Sequence, residues 1–338
     1  MKIFILFSLY FLCSLCPGTN LKELTDGEIT RIIGSGLKLG TVQSSKLQEQ
    51  DLGQSFTIQV IIADQPDITL NFTRVENTLI NNETTIWIAE QEKKSAEIKY
   101  IEDDAIMPAI GNFTLYRDYK NEAAIVVFHD TYRIKGWVQN HRFENLVKIT
   151  NGSNDFNEIF VLKHAYSPPD LKELTSDITY SEVLIQVAHE DVSKGKRNAV
   201  MTTIANWNAV DMFYSKFYDP PVRINIAGII LPKDKECNPW VTSNIFQNET
   251  GNYLSPQSLI DLEVYVSNLS QDSQNVDFEF IFNYVPENLD INATNAAGQA
   301  ARSSDRNIRV AIIRSDESPS TTAYRLGRLS SSSQDDEN

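Results

Sequence analysis

Tyr324, Arg325 and Arg328 are followed by Gln334 near the end of the chain, at positions i, i+1, i+4 and i+10. On a helix, residues i and i+4 share one face, and a chain that turns after the helix can bring a third residue beside them. Ligands at such points could share a metal ion. The residue types do not suit that chemistry. A guanidinium stays protonated and has no lone pair to give. A phenol must lose a proton with a reference pKa of about 10, and glutamine offers only a neutral amide oxygen. Two arginines would also repel a divalent cation. The i, i+4 spacing would suit a metal and the side chains do not.

Other residues with chemical potential are few. The chain holds four histidines, His129, His141, His164 and His189, and no two are four apart. In "AHED", His189 stands beside Glu190 and Asp191 at a strand end, which reads as a solvated turn. Cys13 and Cys16 fall in the N-terminal apolar run, leaving Cys237 alone. It is a buried small hydrophobe, an exposed thiol or a link to another chain. "IGSGLKLG", Ile33 to Gly40, lacks the Gly-Lys-Ser/Thr ending of a phosphate loop and reads as a turn. "EDD" at Glu102 to Asp104 and the closing "QDDEN" are solvated charge runs. A net charge of −15 over 338 residues argues against a nucleic-acid partner, which requires clustered Lys and Arg.

The first residues, "MKIFILFSLYFLCSLCPG", have one Lys, an apolar run from Ile3 to Cys16, and small residues after it. That is the layout of a secretory leader, cleaved near Gly18. The run is short for a membrane span, and no later segment is apolar enough to cross a bilayer. A secreted, extracellular protein with no transmembrane segment is the expectation. Seven Asn-x-Ser/Thr sequons agree with export and are candidate glycan sites: Asn71, Asn82, Asn112, Asn151, Asn248, Asn268 and Asn292.

The elements that must position these residues change character along the chain. From about residue 54 to 149, period-2 runs such as "SFTIQVIIA", "DITLNFTRV", "TTIWIAE", "AEIKYIE", "FTLYRD", "AAIVVFHD" and "YRIKGWV" alternate with polar turns. They predict an antiparallel sandwich or small barrel. "NGSNDF" and "SPPD" then mark a boundary. After Tyr180 strands alternate with helices. "SEVLIQVA" is a continuous apolar strand, and "NAVMTTIANWNAVDMFYSKF" carries Val200, Ile204, Trp207, Val210, Met212, Phe213 and Phe217 at helical spacing. "PPVRINIAGIIL" is a strand, "SPQSLIDLEVYVSNLSQ" a helix opened by Ser and Pro, and "VDFEFIFNYV" and "NIRVAIIR" are strands. "SPSTTAYRLGRL" is a final helix, again with Ser and Pro at its entry. This order predicts a layered α/β domain.

These segments in this order resemble the reprolysin (adamalysin) type of zinc metalloprotease, most closely its arthropod venom and salivary members. "YSEVLIQVAHEDV" is similar to the family's first strand, "VRINIAGIIL" and "VDFEFIFNYVPENLD" to later strands, and "VAIIRSDESPSTTAY" to the approach to the active-site helix. "NATNAAGQA" resembles the loop before the edge strand. "NFTLYRDYKNEAAIVVFHDTYRIKGWVQN" resembles the family's β-rich propeptide. The family motif, His-Glu-x-x-His-x-x-Gly-x-x-His-Asp, falls on Tyr324 to Asp335. Leu326, Gly327 and Asp335 match it. Tyr324, Arg328 and Gln334 stand at the zinc-ligand positions, Arg325 at the general-base position and Ser331 at the turn glycine.

The resemblance implies a β-rich propeptide-like domain followed by a truncated α/β, metzincin-like domain. The expected map is a leader at 1–18, the propeptide-like domain at 19–165, a linker at 166–178, and the α/β domain at 179–338. No cofactor is expected, since zinc enters by resemblance only and its ligands are replaced. A calcium site drawing on Glu182 is a further implication. So is an edge strand, "NIRVAIIR", that pairs with an extended peptide of an extracellular target. No Cys stands in the propeptide-like half to act as a latency switch. A secreted, non-catalytic metalloprotease homologue that acts by binding is therefore the expectation, and an active secreted zinc metalloendopeptidase the alternative.

Overall fold

The computed structural model describes residues 38–44, 54–62, 68–77, 79–81, 83–92, 97–131, 133–138, 141–150, 156–164, 179–217, 222–248, 251–272, 278–291 and 309–331. The fold is β-rich, with two large sheets and a small number of helices. The expected leader at 1–18 and linker at 166–178 lie outside the described residues.

The alternating runs of the first half close into an antiparallel barrel. Its strands are β1 (Lys38–Ser44), β2 (Ser55–Ile62), β3 (Ile68–Val75), β6 (Phe113–Asp118), β7 (Ala123–Phe128), β8 (Arg133–Val138), β9 (His141–Thr150) and β10 (Phe156–His164). Neighbours in the barrel follow chain order, except that β3 pairs directly with β6. Strand β7 shows why "AAIVVF" has no polar alternation. Ala123, Ile125 and Val127 pack inside the barrel with Leu70, Phe72 and Tyr116. Ala124, Val126 and Phe128 face a helix on the outside, so both faces are dry.

The two strands that leave the barrel, β4 (Thr85–Gln91) and β5 (Ile98–Glu102), join the second sheet. That sheet has the order β16-β15-β11-β12-β4-β5, with β11 at Thr179–Gln186, β12 at Val222–Pro232, β15 at Phe280–Val285 and β16 at Arg309–Arg314. The five strands from β16 to β4 are parallel, and β5 is antiparallel at one edge. A hairpin from the N-terminal half thus completes the sheet of the α/β half, so the two halves share one hydrogen-bonded layer. At the seam, a Cβ on Gly228 would lie 2.0 Å from the ring of Trp87, so only glycine lets that ring cross the β12–β4 ladder.

Helices cover both faces of the sheet. On one face α3 (Lys196–Phe217) sets Val200, Ile204, Trp207 and Val210 against Val183, Ile185, Ile226 and Phe282. Its opposite side sets Ala209 and Met212 against Ala124 and Trp137 of the barrel. A helix apolar on two sides is one held between two layers, which is why its apolar positions exceed a single stripe. The other face is covered by α5 (Gln257–Asp272), through Leu259, Leu262 and Val266, and by the short α4 (Pro239–Thr242), through Trp240 and Val241. The other α-helices among the described residues are α1 (Ile106–Ile110), α2 (His189–Ser193) and α6 (Pro319–Ser331).

The barrel and the sheet are also tied by buried polar contacts through α3. The Asp211 carboxylate accepts from Arg117 Nη2 at 2.5 Å and from Arg223 Nη2 at 2.9 Å. It also accepts from the backbone N–H of Ile224 at 2.7 Å. Both Arg117 and Asp211 have fully buried side chains. Arg117 Nε donates to Asn208 Oδ1 at 3.0 Å, and Trp137 Nε1 donates to Asn206 Oδ1 at 2.7 Å. No sequence pattern announced this network, because its members come from β6, β8, α3 and β12.

Candidate functional site

The helix that carries the motif-like residues is α6. Ser318 caps it, accepting from the backbone N–H of Thr321 at 3.2 Å, and Pro319 opens the first turn. Ala323, Leu326 and Leu329 are buried in the main core. Tyr214 Oη donates to the Ala323 carbonyl at 2.7 Å, fixing α6 against α3. The helix runs as far as Ser331, the position where the resemblance expects a turn. Serine keeps the helical backbone there, where a glycine would break it at less cost.

Tyr324 and Arg325 sit on different sides of this helix. Tyr324 is 39% exposed. Arg325 is buried, and both arms of its guanidinium are engaged: Nη1 donates to the Ile312 carbonyl at 2.8 Å and Nη2 to Glu317 Oε1 at 2.9 Å. Arg328 lies on the same helix, with its side chain outside the described residues, as are Gln334 and Asp335 altogether. The structure therefore allots Tyr324 to the surface and Arg325 to the core.

The bond to Ile312 has a particular meaning in β16. Arg309 N–H donates to the Glu279 carbonyl at 3.0 Å and Ser315 N–H to the Val285 carbonyl at 2.9 Å. Odd-numbered residues of β16 thus face β15, and the backbone groups of Ile312 face the outer edge. Arg325 satisfies an edge carbonyl and anchors the helix to the strand that precedes it. Burial pulls the Arg325 guanidinium's pKa down and pushes the Glu317 carboxyl's up, each against the attraction of its partner. Glu317 also lies near Arg314, which approaches Asp316 at 3.1 Å. An arginine in this setting neither takes up a proton from water nor ligates a cation.

The remaining candidates are dispersed. His189 begins α2, half-buried, with Nδ1 at 3.4 Å from the Pro232 carbonyl oxygen. His129 Nε2 is 2.8 Å from Thr114 Oγ1. His141 and His164 occupy opposite positions in the β9–β10 register. Among the described residues no three His, Cys, Asp or Glu are grouped so as to hold a metal ion. Glu182, the residue tied by resemblance to calcium, is half-buried in β11, and its carbonyl accepts from Glu279 N–H at 3.0 Å.

Cys237 resolves to one of its three readings. It is fully buried, and its thiol donates toward the Ala89 carbonyl at 3.1 Å. Burial also pushes the thiol's pKa up, and as folded it keeps the sulfur out of reach of another chain. Of the sequons, Asn71 on β3 and Asn112 before β6 are exposed. Asn248 and Asn268 lie on β13 (Ile245–Asn248) and α5, with side chains outside the described residues. Asn82, Asn151 and Asn292 lie wholly outside them. No described helix is long and apolar enough to cross a membrane. Compared with models of known protein families and with curated proteins, the chain matches none.

Proposed function

We propose that this chain is a secreted, non-catalytic relative of the reprolysin-type metalloproteases of arthropod venom and saliva, and that it works by binding an extracellular protein. One observation carries the reading. Where the family motif calls for a general base, Arg325 is built into the core, donating to the Ile312 carbonyl and to Glu317. A side chain that holds α6 to β16 is committed to structure and cannot also act on water. The succession β11, α3, β12, α5, β15, β16, α6 supports the fold part of the reading, because it is the order that the resemblance implies. The leader-like N-terminus and the exposed Asn71 and Asn112 support export.

The mode of binding is constrained by the same arginine. A peptide strand adding to the outer edge of β16 would compete with Arg325 for the Ile312 carbonyl, at the middle of that strand. Capture by simple strand addition is therefore disfavoured there.

The test is metal content and proteolysis measured together. The purified secreted protein is dialysed against micromolar zinc, analysed for metal, and incubated with an unfolded protein substrate. The proposal expects no substrate cleavage and no zinc that depends on residues 324 to 334. One tightly held zinc that is lost on Tyr324→Phe, accompanied by cleavage, would return the chain to the active endopeptidases.

A further inference from the structure

The parallel sheet has a point where its connections part. From β11 the chain crosses by α3 to β12 on one side, and from β12 it crosses by α5 to β15 on the other side of β11. The helices α3 and α5 lie on opposite faces of the sheet. From β15 the chain goes on outward to β16, so the connections that leave the carboxyl ends of β11 and β15 part in opposite directions, and at such a divergence open α/β sheets hold ligands. The edge strand β16 lies directly beside β15, but its helix α6 packs on the opposite face of the sheet from α5.

The residues that β11 and β15 bring to this point are amides. Gln186 ends β11 and is the direct register partner of Asn283 in β15. Leu184 and Ile281, which precede them by two positions, face the α5 side, so Gln186 and Asn283 share that face. Gln186 Nε2 donates to Asn238 Oδ1. Asn283 is 0% exposed, and among the described residues neither its Oδ1 nor its Nδ2 has a hydrogen-bond partner. In the same core, Trp240 Nε1 is another buried donor without one. Leu, Ile or Val would suit a core position flanked by Ile281 and Val285. An amide that gives up its hydrogen bonds to water and regains none marks a position kept for something other than packing.

We propose that the carboxyl-end crevice between β11 and β15 binds a small neutral molecule bearing a carboxamide group, with Asn283 as its two-point partner. The chemistry follows from the residues. Asn283 offers one acceptor and a donor side by side, which a carboxamide matches with its own donor and acceptor. Gln186, Asn238 and Asn283 carry no charge, so the row gives no attraction to an anion or a cation. The apolar neighbours Leu184, Ile281 and Val285 favour a ligand with little polar surface beyond its amide.

Acetamide is the probe. In a titration followed by amide-resolved NMR, the Asn283 side-chain NH2 resonances should shift saturably, and those of Asn71 and Asn112 should not. At ten times its dissociation constant the probe should raise the folded-to-unfolded ratio about eleven-fold. Asn283→Leu should abolish that stabilisation and, without probe, should resist urea at least as well as the parent. Absence of a saturable shift at Asn283 would overturn the proposal even if the leucine variant failed to fold. So would a crystal soaked in acetamide that shows only a water on Asn283. Equal stabilisation of the parent and the leucine variant would overturn it as well.

Discussion

Replacing Asp211 with alanine should be strongly destabilising. Its carboxylate is the common acceptor for Arg117 at 2.5 Å, Arg223 at 2.9 Å and the Ile224 N–H at 2.7 Å. Arg223 retains a partly exposed side chain and can turn to solvent, but Arg117 is fully buried. Asp211→Ala therefore strands a guanidinium between the barrel and α3, a fault that costs about 3–5 kcal/mol. The orphaned Ile224 N–H falls within the same loss, since groups in one network do not add independently. Domains of ordinary size are stable by roughly 5–15 kcal/mol, so at least about a fifth of the total is at stake. Equilibrium urea unfolding followed by tryptophan emission reads it, with Trp137 and Trp207 on the two sides of α3. The double variant Arg117→Met, Asp211→Leu removes the buried charges together and should recover most of the loss, because apolar replacement of a buried pair is often neutral. A loss below about 1 kcal/mol for Asp211→Ala would refute the argument. A double variant as unstable as the single one would show that the uncompensated charge is not the cause.

Arg325→Met should cost about 3 kcal/mol in the same assay, because it leaves the Ile312 carbonyl uncapped and Glu317 buried without its partner. An unchanged midpoint would remove the structural role on which the functional reading stands. Glu317 binds its proton more tightly folded than unfolded, since burial raises its pKa from the ordinary 4.5. The native state then holds more protons across the window from that value up to the raised one, so stability falls as pH rises through it. Glu317→Gln should flatten that part of a melting-temperature profile, and an unaltered slope would contradict the assignment. Thiol reagents should modify Cys237 only at the rate of unfolding, given its burial and raised pKa, and rapid labelling of the native protein would disprove that. Asn71→Gln in protein secreted from eukaryotic cells should remove the mass of one glycan, and an unchanged mass would show that this exposed sequon goes unused.

Much of this fold can be read directly from local pattern. The period-2 runs foretell the barrel strands, since alternation follows from one wet and one dry face. "SEVLIQVA" and "FIFNYV" have no alternation because helices cover both of their faces. The Ser-Pro entries to α5 and α6 signal helix starts whatever lies around them. At the candidate site, side-chain chemistry alone disqualifies Tyr324, Arg325 and Gln334 as a zinc apparatus, because lone pairs and proton affinities belong to the residue type.

What local pattern could not supply was partnership at a distance. The alternation in "TTIWIAE" and "AEIKYIE" is the same as in the barrel strands, and only the pairing of Gly228 to Pro232 with Thr85 to Ala89 sends β4 and β5 to the other sheet. Cys237 was equally consistent with three fates until Ala89 and Trp240 closed over it. Arg325 reads in sequence as a lost catalytic base, and in the fold it is a clamp, because Ile312 and Glu317 lie 13 and 8 residues away and meet it only when α6 folds back on β16. Asn283 is one residue of an apolar run, and its isolation is a property of the finished core. Composition and spacing determine which elements form and which chemistries are impossible, because both are local. Which groups are paired, buried or left without a partner is settled by contacts between residues far apart in the chain, and those exist only in the tertiary structure.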